Sequence, residues 1–311
     1  MKRFYVASRV AMALVLLLPA CSSSQEGEIV VGDTICKLII TAEEFVTDEK
    51  HVESRTNIDP TRGFSWALKD TIGIFPEKGD QLPFEMSSGA GTNVATISGG
   101  SWWLKISEGY AAYYPFSRQN YFTDRGNIHF SYVGQEQIGD NTTTHLGAFD
   151  LMAADNAESN GTSLNFNFNH LGCILRMYVN IPNAGTYSLL SLTAEEAAFA
   201  KEVKLDLSKT SAELTHVESS KSISLSLNGF TSPSDNYTAT FFLMSAPFDL
   251  AGKTITLKLK AANGYIYTGT MTPSKAYVAQ MMYNMRFNSL TLDSNPPIGI
   301  GGEFETSDSE M

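Results

Sequence analysis

Strict alternation of apolar and polar residues in three separate stretches constrains this chain more than any other feature. Ser163-Leu-Asn-Phe-Asn-Phe-Asn169 places Leu164, Phe166 and Phe168 on one side and asparagines on the other. Ser222-Ile-Ser-Leu-Ser-Leu227 repeats the pattern with Ile223, Leu225 and Leu227, and Thr254-Ile-Thr-Leu-Lys-Leu-Lys260 repeats it with Ile255, Leu257 and Leu259. Successive side chains of a β-strand point to opposite faces, so each stretch specifies a strand with one buried and one solvated face. That is the pattern of antiparallel sheets at the surface of a sandwich. Further strands are expected over 37–40, 71–75, 94–97, 110–114, 128–133, 174–181, 187–192, 203–207, 237–244, 265–270 and 281–292. Turn signals at Gly99-Gly100, Pro182-Asn183, Asn228-Gly229, Ser232-Pro233 and Asn263-Gly264 interrupt them. Many short strands with frequent turns predict an all-β sandwich class. Two stretches stay open between helix and strand. Thr193-Ala-Glu-Glu196 has capping-box spacing before good helix formers, and 276–285 is ambiguous by periodicity, although its β-rich continuation favours a final strand.

The N-terminus has a different composition. Lys2, Arg3 and Arg9 precede or flank an apolar run over 10–18 that ends in Leu18-Pro19-Ala20-Cys21. A basic start, a short apolar run and small residues form a signal peptide, and the cysteine at the junction resembles a bacterial lipobox. The expectation is cleavage after residue 20 and lipidation of Cys21. An ordinary secretory signal is the alternative. The run falls short of the ~18–20 apolar residues that a membrane span needs. Ser22-Ser23-Ser24-Gln25-Glu26-Gly27-Glu28 begins a flexible tether assigned to 21–34.

Loss of residues 1–20 removes three basic and no acidic residues, which moves the formal charge from −11 to −14. A surface this acidic, without a Lys/Arg cluster, excludes nucleic acid as a partner. Once Cys21 is lipidated, Cys36 and Cys173 remain, either as a disulfide or as two buried reduced thiols. The five histidines never fall at metal-ligand spacing, and there is no GxSxG, HExxH or phosphate loop. No metal, cofactor or catalytic residue is expected, although folding can still bring together two carboxylates of the glycosidase kind. Trp102-Trp103 and Tyr113-Tyr114 offer rings for stacking on sugars, but alternation puts one member of each pair into the core. A composition change near 170–173 suggests domains over 35–171 and 172–293, and the Pro/Gly-rich, acidic 294–311 reads as a mobile tail.

Several short pieces, in order, resemble the fimbrillin family, the subunits of type V pili of Gram-negative anaerobes. They are Ser54-Arg55-Thr56, Phe64-Ser-Trp66, Asp70-Thr-Ile-Gly-Ile-Phe75 and Tyr113-Tyr-Pro-Phe116. Asp150-Leu-Met-Ala-Ala154, Phe168-Asn-His-Leu171, Gly264-Tyr-Ile-Tyr267, Pro273 and Val278-Ala-Gln-Met-Met-Tyr283 continue the series. Gln280 departs from the pattern, because a glycine often precedes the closing strand in that family. The resemblance implies two transthyretin-like, Greek-key β-sandwich domains in tandem, on a surface lipoprotein of the outer membrane. It also implies that a protease cuts after an arginine and removes the first strand, and that a strand of another subunit refills the groove. Here Lys37, Leu38, Ile39 and Ile40 are the candidate displaced strand within a removable 35–55, Arg55 is the candidate cut site, and Arg62 is the alternative. The expected partners are other pilus subunits, the processing protease and host or bacterial surface ligands. The competing expectations are a lipidated glycan- or ligand-binding module that does not polymerise and, last, a glycoside hydrolase.

Overall fold

The computed structural model describes residues 37–47, 64–77, 80–98, 104–105, 109–154, 157–160 and 162–293. The signal segment, Cys21, the tether, Cys36, Arg55, Arg62, Trp102, Trp103 and the 294–311 tail lie outside the described residues. The first half contributes β1 (Lys37–Ala42), β2 (Val46–Thr47), β3 (Thr71–Pro76), β4 (Leu82–Glu85), β5 (Val94–Ser98) and β6 (Tyr110–Tyr114). Then come β7 (Ile128–Ser131), β8 (Glu136–Ile138), β9 (Met152–Ala154), β10 (Glu158–Asn160) and β11 (Ser163–His170). The second half begins with β12 (Cys173–Ile181), β13 (Gly185–Ala194), β14 (Phe199–Asp206), β15 (Glu213–Ser220), β16 (Ser222–Asn228) and β17 (Thr231–Ser232). It closes with β18 (Tyr237–Ser245), β19 (Ile255–Ala261), β20 (Ile266–Met271), β21 (Met281–Phe287) and β22 (Thr291–Leu292).

These strands form four sheets among the described residues. An eight-stranded sheet runs β4-β3-β6-β9-β11-β1-β5, with β10 beside β11. A four-stranded sheet runs β18-β12-β21-β2, and a seven-stranded sheet runs β22-β20-β19-β13-β16-β8 with β17 beside β13. The hairpin of β14 and β15 joins β7 in a three-stranded sheet. The three alternating stretches become β11, β16 and β19, and their apolar residues are the buried ones. The tight turn between β19 and β20 depends on Gly264 at φ +91°, a conformation that glycine adopts without steric cost.

The described residues belong to one compact unit that holds two hydrophobic cores. The four-stranded sheet serves both. From β12, Ile174 enters the first core while Cys173, Leu175, Met177 and Val179 enter the second. From β18, Phe242 and Met244 face the first core, and Phe241 and Leu243 the second. Strands also cross the 171/172 position. The first core takes Ala200, Val203 and Leu205 from β14, which pairs with β7, and β8 pairs with β16.

The outer edge of β18 is covered by side chains. Gln135 Oε1 accepts from Met244 N (2.8 Å) and Gln137 Oε1 accepts from Phe242 N (2.8 Å). Asp140 Oδ1 accepts from Thr240 N (2.7 Å), so this edge has no free amide there to offer an incoming strand. Thr193-Ala-Glu-Glu196 makes no helix. Thr193 and Ala194 end β13, paired with Thr256 and Ile255, so the ladder overrides local propensity. In 276–285, the strand begins at Met281.

Candidate strand-exchange groove

The first described strand in sequence lies inside its sheet. β1 pairs in parallel with β11, from Lys37 opposite Ser163 to Ala42 opposite Phe168. On its other side it pairs antiparallel with β5, from Lys37 opposite Ser98 to Thr41 opposite Val94. Leu38 and Ile40 are 0% exposed and Ala42 is 1% exposed. The residues that share its buried face form rows: Leu164, Leu38 and Ile97, then Phe166, Ile40 and Ala95, then Phe168 and Ala42. In the second and third rows bulk in one strand is matched by an alanine in another, which is how close packing is reached. Lys37 to Ile40 thus lie in the middle of a two-sided ladder.

Past Ala42 the chain leaves the sheet over a buried aromatic cluster. Glu43 N donates to Phe168 O (3.0 Å), and the ring of Phe45 stacks on His170 with centroids 3.9 Å apart. His170 Nδ1 meets Asp150 Oδ1 at 2.9 Å, and Nε2 meets the Glu43 carbonyl at 2.7 Å. A carbonyl can only accept, so Nε2 is the donor in the bond to Glu43. Phe64 meets His170 edge-on at 5.3 Å, and Trp66 meets Phe168 at 5.7 Å and Tyr114 at 5.3 Å. Tyr114 donates to Asp70 Oδ1 (3.1 Å). Burial, then the nearby Asp70 and Asp150, push the Tyr114 hydroxyl well above its ordinary value, so it remains a donor. Burial also raises the Asp70 carboxyl.

Five pieces that the sequence offered separately, holding Phe64 and Trp66, Asp70, Tyr114, Asp150 and His170, therefore converge on the exit of β1. Nothing local in the sequence pairs Asp150 with His170, because they stand 20 residues apart with β9 and β10 between them. Both side chains are sealed from solvent, so the pair holds structure and has no access to a substrate.

The chain then crosses to the second sheet. Val46 N donates to Gln280 O (2.8 Å), and β2 pairs in parallel with β21. Gln280 has φ +64°, the left-handed region, which gives a physical reason for a glycine at this place in the family. Its amide donates to Glu43 Oε2 (3.3 Å), a contact glycine would lack.

Other expectations change. Tyr113 and Tyr114 are both buried, at 1% and 6%, so neither is free to stack on a sugar. β6 is covered on both faces. Tyr114 faces Trp66, while Tyr113 donates to Gln81 Oε1 (2.9 Å) under the loop that carries a 3-10 turn at Arg118–Asn120. Among the described residues, Tyr121–Phe122 is an exposed ring pair, with Phe122 91% exposed. Cys173 is a free thiol, fully buried, and burial pushes its pKa up. Among the described residues no group of three or more His, Cys, Asp or Glu gathers to hold a metal.

No protein-family model and no curated protein matches the chain. Solved structures do. A candidate cell adhesion protein of Bacteroides ovatus ATCC 8483 aligns with TM-score 0.51 and 17% identity, over 84% of this chain and 96% of that one. One from Bacteroides uniformis ATCC 8492 aligns with TM-score 0.48 and 16% identity, over 74% and 93%. The tip fimbrial protein Mfa3 of Porphyromonas gingivalis aligns with TM-score 0.36 and 10% identity, over 83% and 97%. The chain shares its all-β fold with the Bacteroides ovatus structure.

Proposed function

We propose that this chain is a pilus-associated adhesion subunit, exported as a lipoprotein on Cys21 and held at the outer membrane on the cell surface. Cleavage at Arg55, or at Arg62, frees β1 from the rest of the chain, and a strand of another subunit then takes its place. One observation carries this reading. β1 comes first among the described strands yet lies between β5 and β11, so it can leave, together with the two-residue β2 that follows it before Arg55 and pairs with β21, without unthreading the later strands. Its departure uncovers Leu164, Phe166, Phe168, Ala95 and Ile97, together with the backbone of both flanking strands. Burying Leu38 and Ile40 is worth roughly 1.5–3 kcal/mol each. An empty groove is therefore costly, and strand addition relieves it. The other partners are the processing protease and surface ligands.

Mass spectrometry of surface material tests the reading through the mature N-terminus. Arg55→Ala together with Arg62→Ala should leave uncut monomers and few fibres, and Cys21→Ala should abolish fatty-acid labelling. Normal size and polymerisation of the double variant would refute processing. A second reading, a glycan- or ligand-binding module, is favoured by an open cavity of about 810 Å³. Phe122, Tyr121, Arg118 and Glu85 line it, a ring platform beside polar groups that suits a sugar. If it holds, Phe122→Ala should lower glycan binding and leave assembly intact.

A further inference from the structure

Alternation alone does not fix the register of a strand in this groove. A slip of two residues keeps every side chain on its face and every ladder bond in place. The exit of β1 breaks that degeneracy. Ala42 lies beside the buried Phe168, whose ring is met edge-on by Trp66, so the space at this position is small. Three residues later Phe45, 7% exposed, stacks on His170. If β1 slips one way, Ile40 lands beside Phe168 and Glu43 under the imidazole. If it slips the other way, Glu44 is buried where Ala42 belongs. His170 thus makes two different contacts with the strand. Its Nε2–H bond to a backbone carbonyl is blind to sequence, whereas its ring face selects a ring. Asp150 holds the imidazole in place from the other side, and neither side chain reaches solvent.

We propose that the His170–Asp150 pair sets the register of any strand in the groove and selects its sequence. The incoming strand of a partner subunit then carries two alternating apolar residues, a small residue at the place of Ala42 and an aromatic ring three residues beyond it. This rests on the strand-replacement reading above. It also separates a foreign strand from the chain's own C-terminal segment. Ile298-Gly-Ile-Gly-Gly-Glu-Phe304 has the alternation and the small residue, but it reaches its ring one residue early.

The test is peptide entry into the full chain nicked at Arg55, followed by fluorescence anisotropy. The probes are a labelled peptide of residues 36–47, its Phe45→Ala and Ala42→Phe variants, and a peptide of residues 296–307. The parent peptide should enter; without its ring, entry should be slower by about tenfold. The Ala42→Phe peptide should stay out, and the C-terminal peptide should lag behind the parent. In the His170→Gln protein the parent and Phe45→Ala peptides should enter at rates within about twofold of each other, because the stacking partner is gone. A residue that only stabilised the fold would not change this ratio. If His170→Gln does not fold, the peptide series on the unaltered protein still decides. Equal entry of the parent, Phe45→Ala and Ala42→Phe peptides would overturn the proposal and leave strand replacement standing. If no peptide enters a nicked, folded chain, strand replacement fails and the register proposal fails with it.

Discussion

Ile40→Ala is the most direct probe of β1. The side chain is fully buried between Phe166 on one neighbouring strand and Ala95 on the other. Truncation removes three carbons, and at about 0.8 kcal/mol for each buried methylene the transfer loss is about 2.5 kcal/mol. A cavity contribution adds to this. Ala95 is too short to fill the void, and Phe166 is fixed in its row, so the site collapses poorly and the total approaches 3–4 kcal/mol. Ile39→Ala is the matched control. It removes the same atoms from the half-buried face, opposite Asn165 and Thr96, and should cost about 1 kcal/mol. Guanidinium unfolding followed through the buried Trp66 measures both, with an unchanged denaturant slope as the sign that only stability moved. Equal losses, or a larger loss for Ile39→Ala, would show that β1 faces the other way and that the groove as described does not exist.

Other outcomes follow from the same packing. Leu257→Asp places a charge on the buried face of β19 and should cost several kcal/mol, whereas Lys258→Asp, on the other face, should change the melting temperature little. Burial raises the hydroxyls of Tyr114 and Tyr132 well above 10.0. The unfolded chain then releases those protons first, so stability should fall as pH rises past 10.0, by up to about 1.4 kcal/mol per pH unit for each group. Denaturation midpoints that stay flat through that range would contradict the burial of these rings. Cys173, buried with its thiol pKa raised, should resist iodoacetamide in the folded protein and react once guanidinium unfolds it; rapid labelling of the native chain would contradict its place in the second core.

The local sequence determined which faces of the strands are buried. In β11, β16 and β19 the period of two is a property of the extended backbone, so Leu164, Phe166, Phe168, Ile223, Leu225, Leu227, Ile255, Leu257 and Leu259 could be assigned inward without knowing any neighbour. Where both faces are covered, the alternation vanishes. The five residues of β6 are all buried, and only the fold shows that a loop lies over Tyr113. Where neither face is covered, the signal vanishes as well. β15 is almost wholly exposed and exists because the hairpin with β14 supplies its hydrogen bonds. The short β8 and β9 depend in the same way on partners distant in sequence, β16 and β6, whereas β10 depends on the adjacent β11. The groove divides along the same line. Lys37 to Ile40 read as an apolar strand from composition alone, but its position between β5 and β11 is a matter of pairing order. Asp150, His170 and Phe45 show no common pattern, since they meet only after contacts distant in sequence have formed. Periodicity is fixed by bond geometry within a few residues, whereas adjacency is fixed by which apolar faces cover one another across the whole chain, and that is decided only in the tertiary structure.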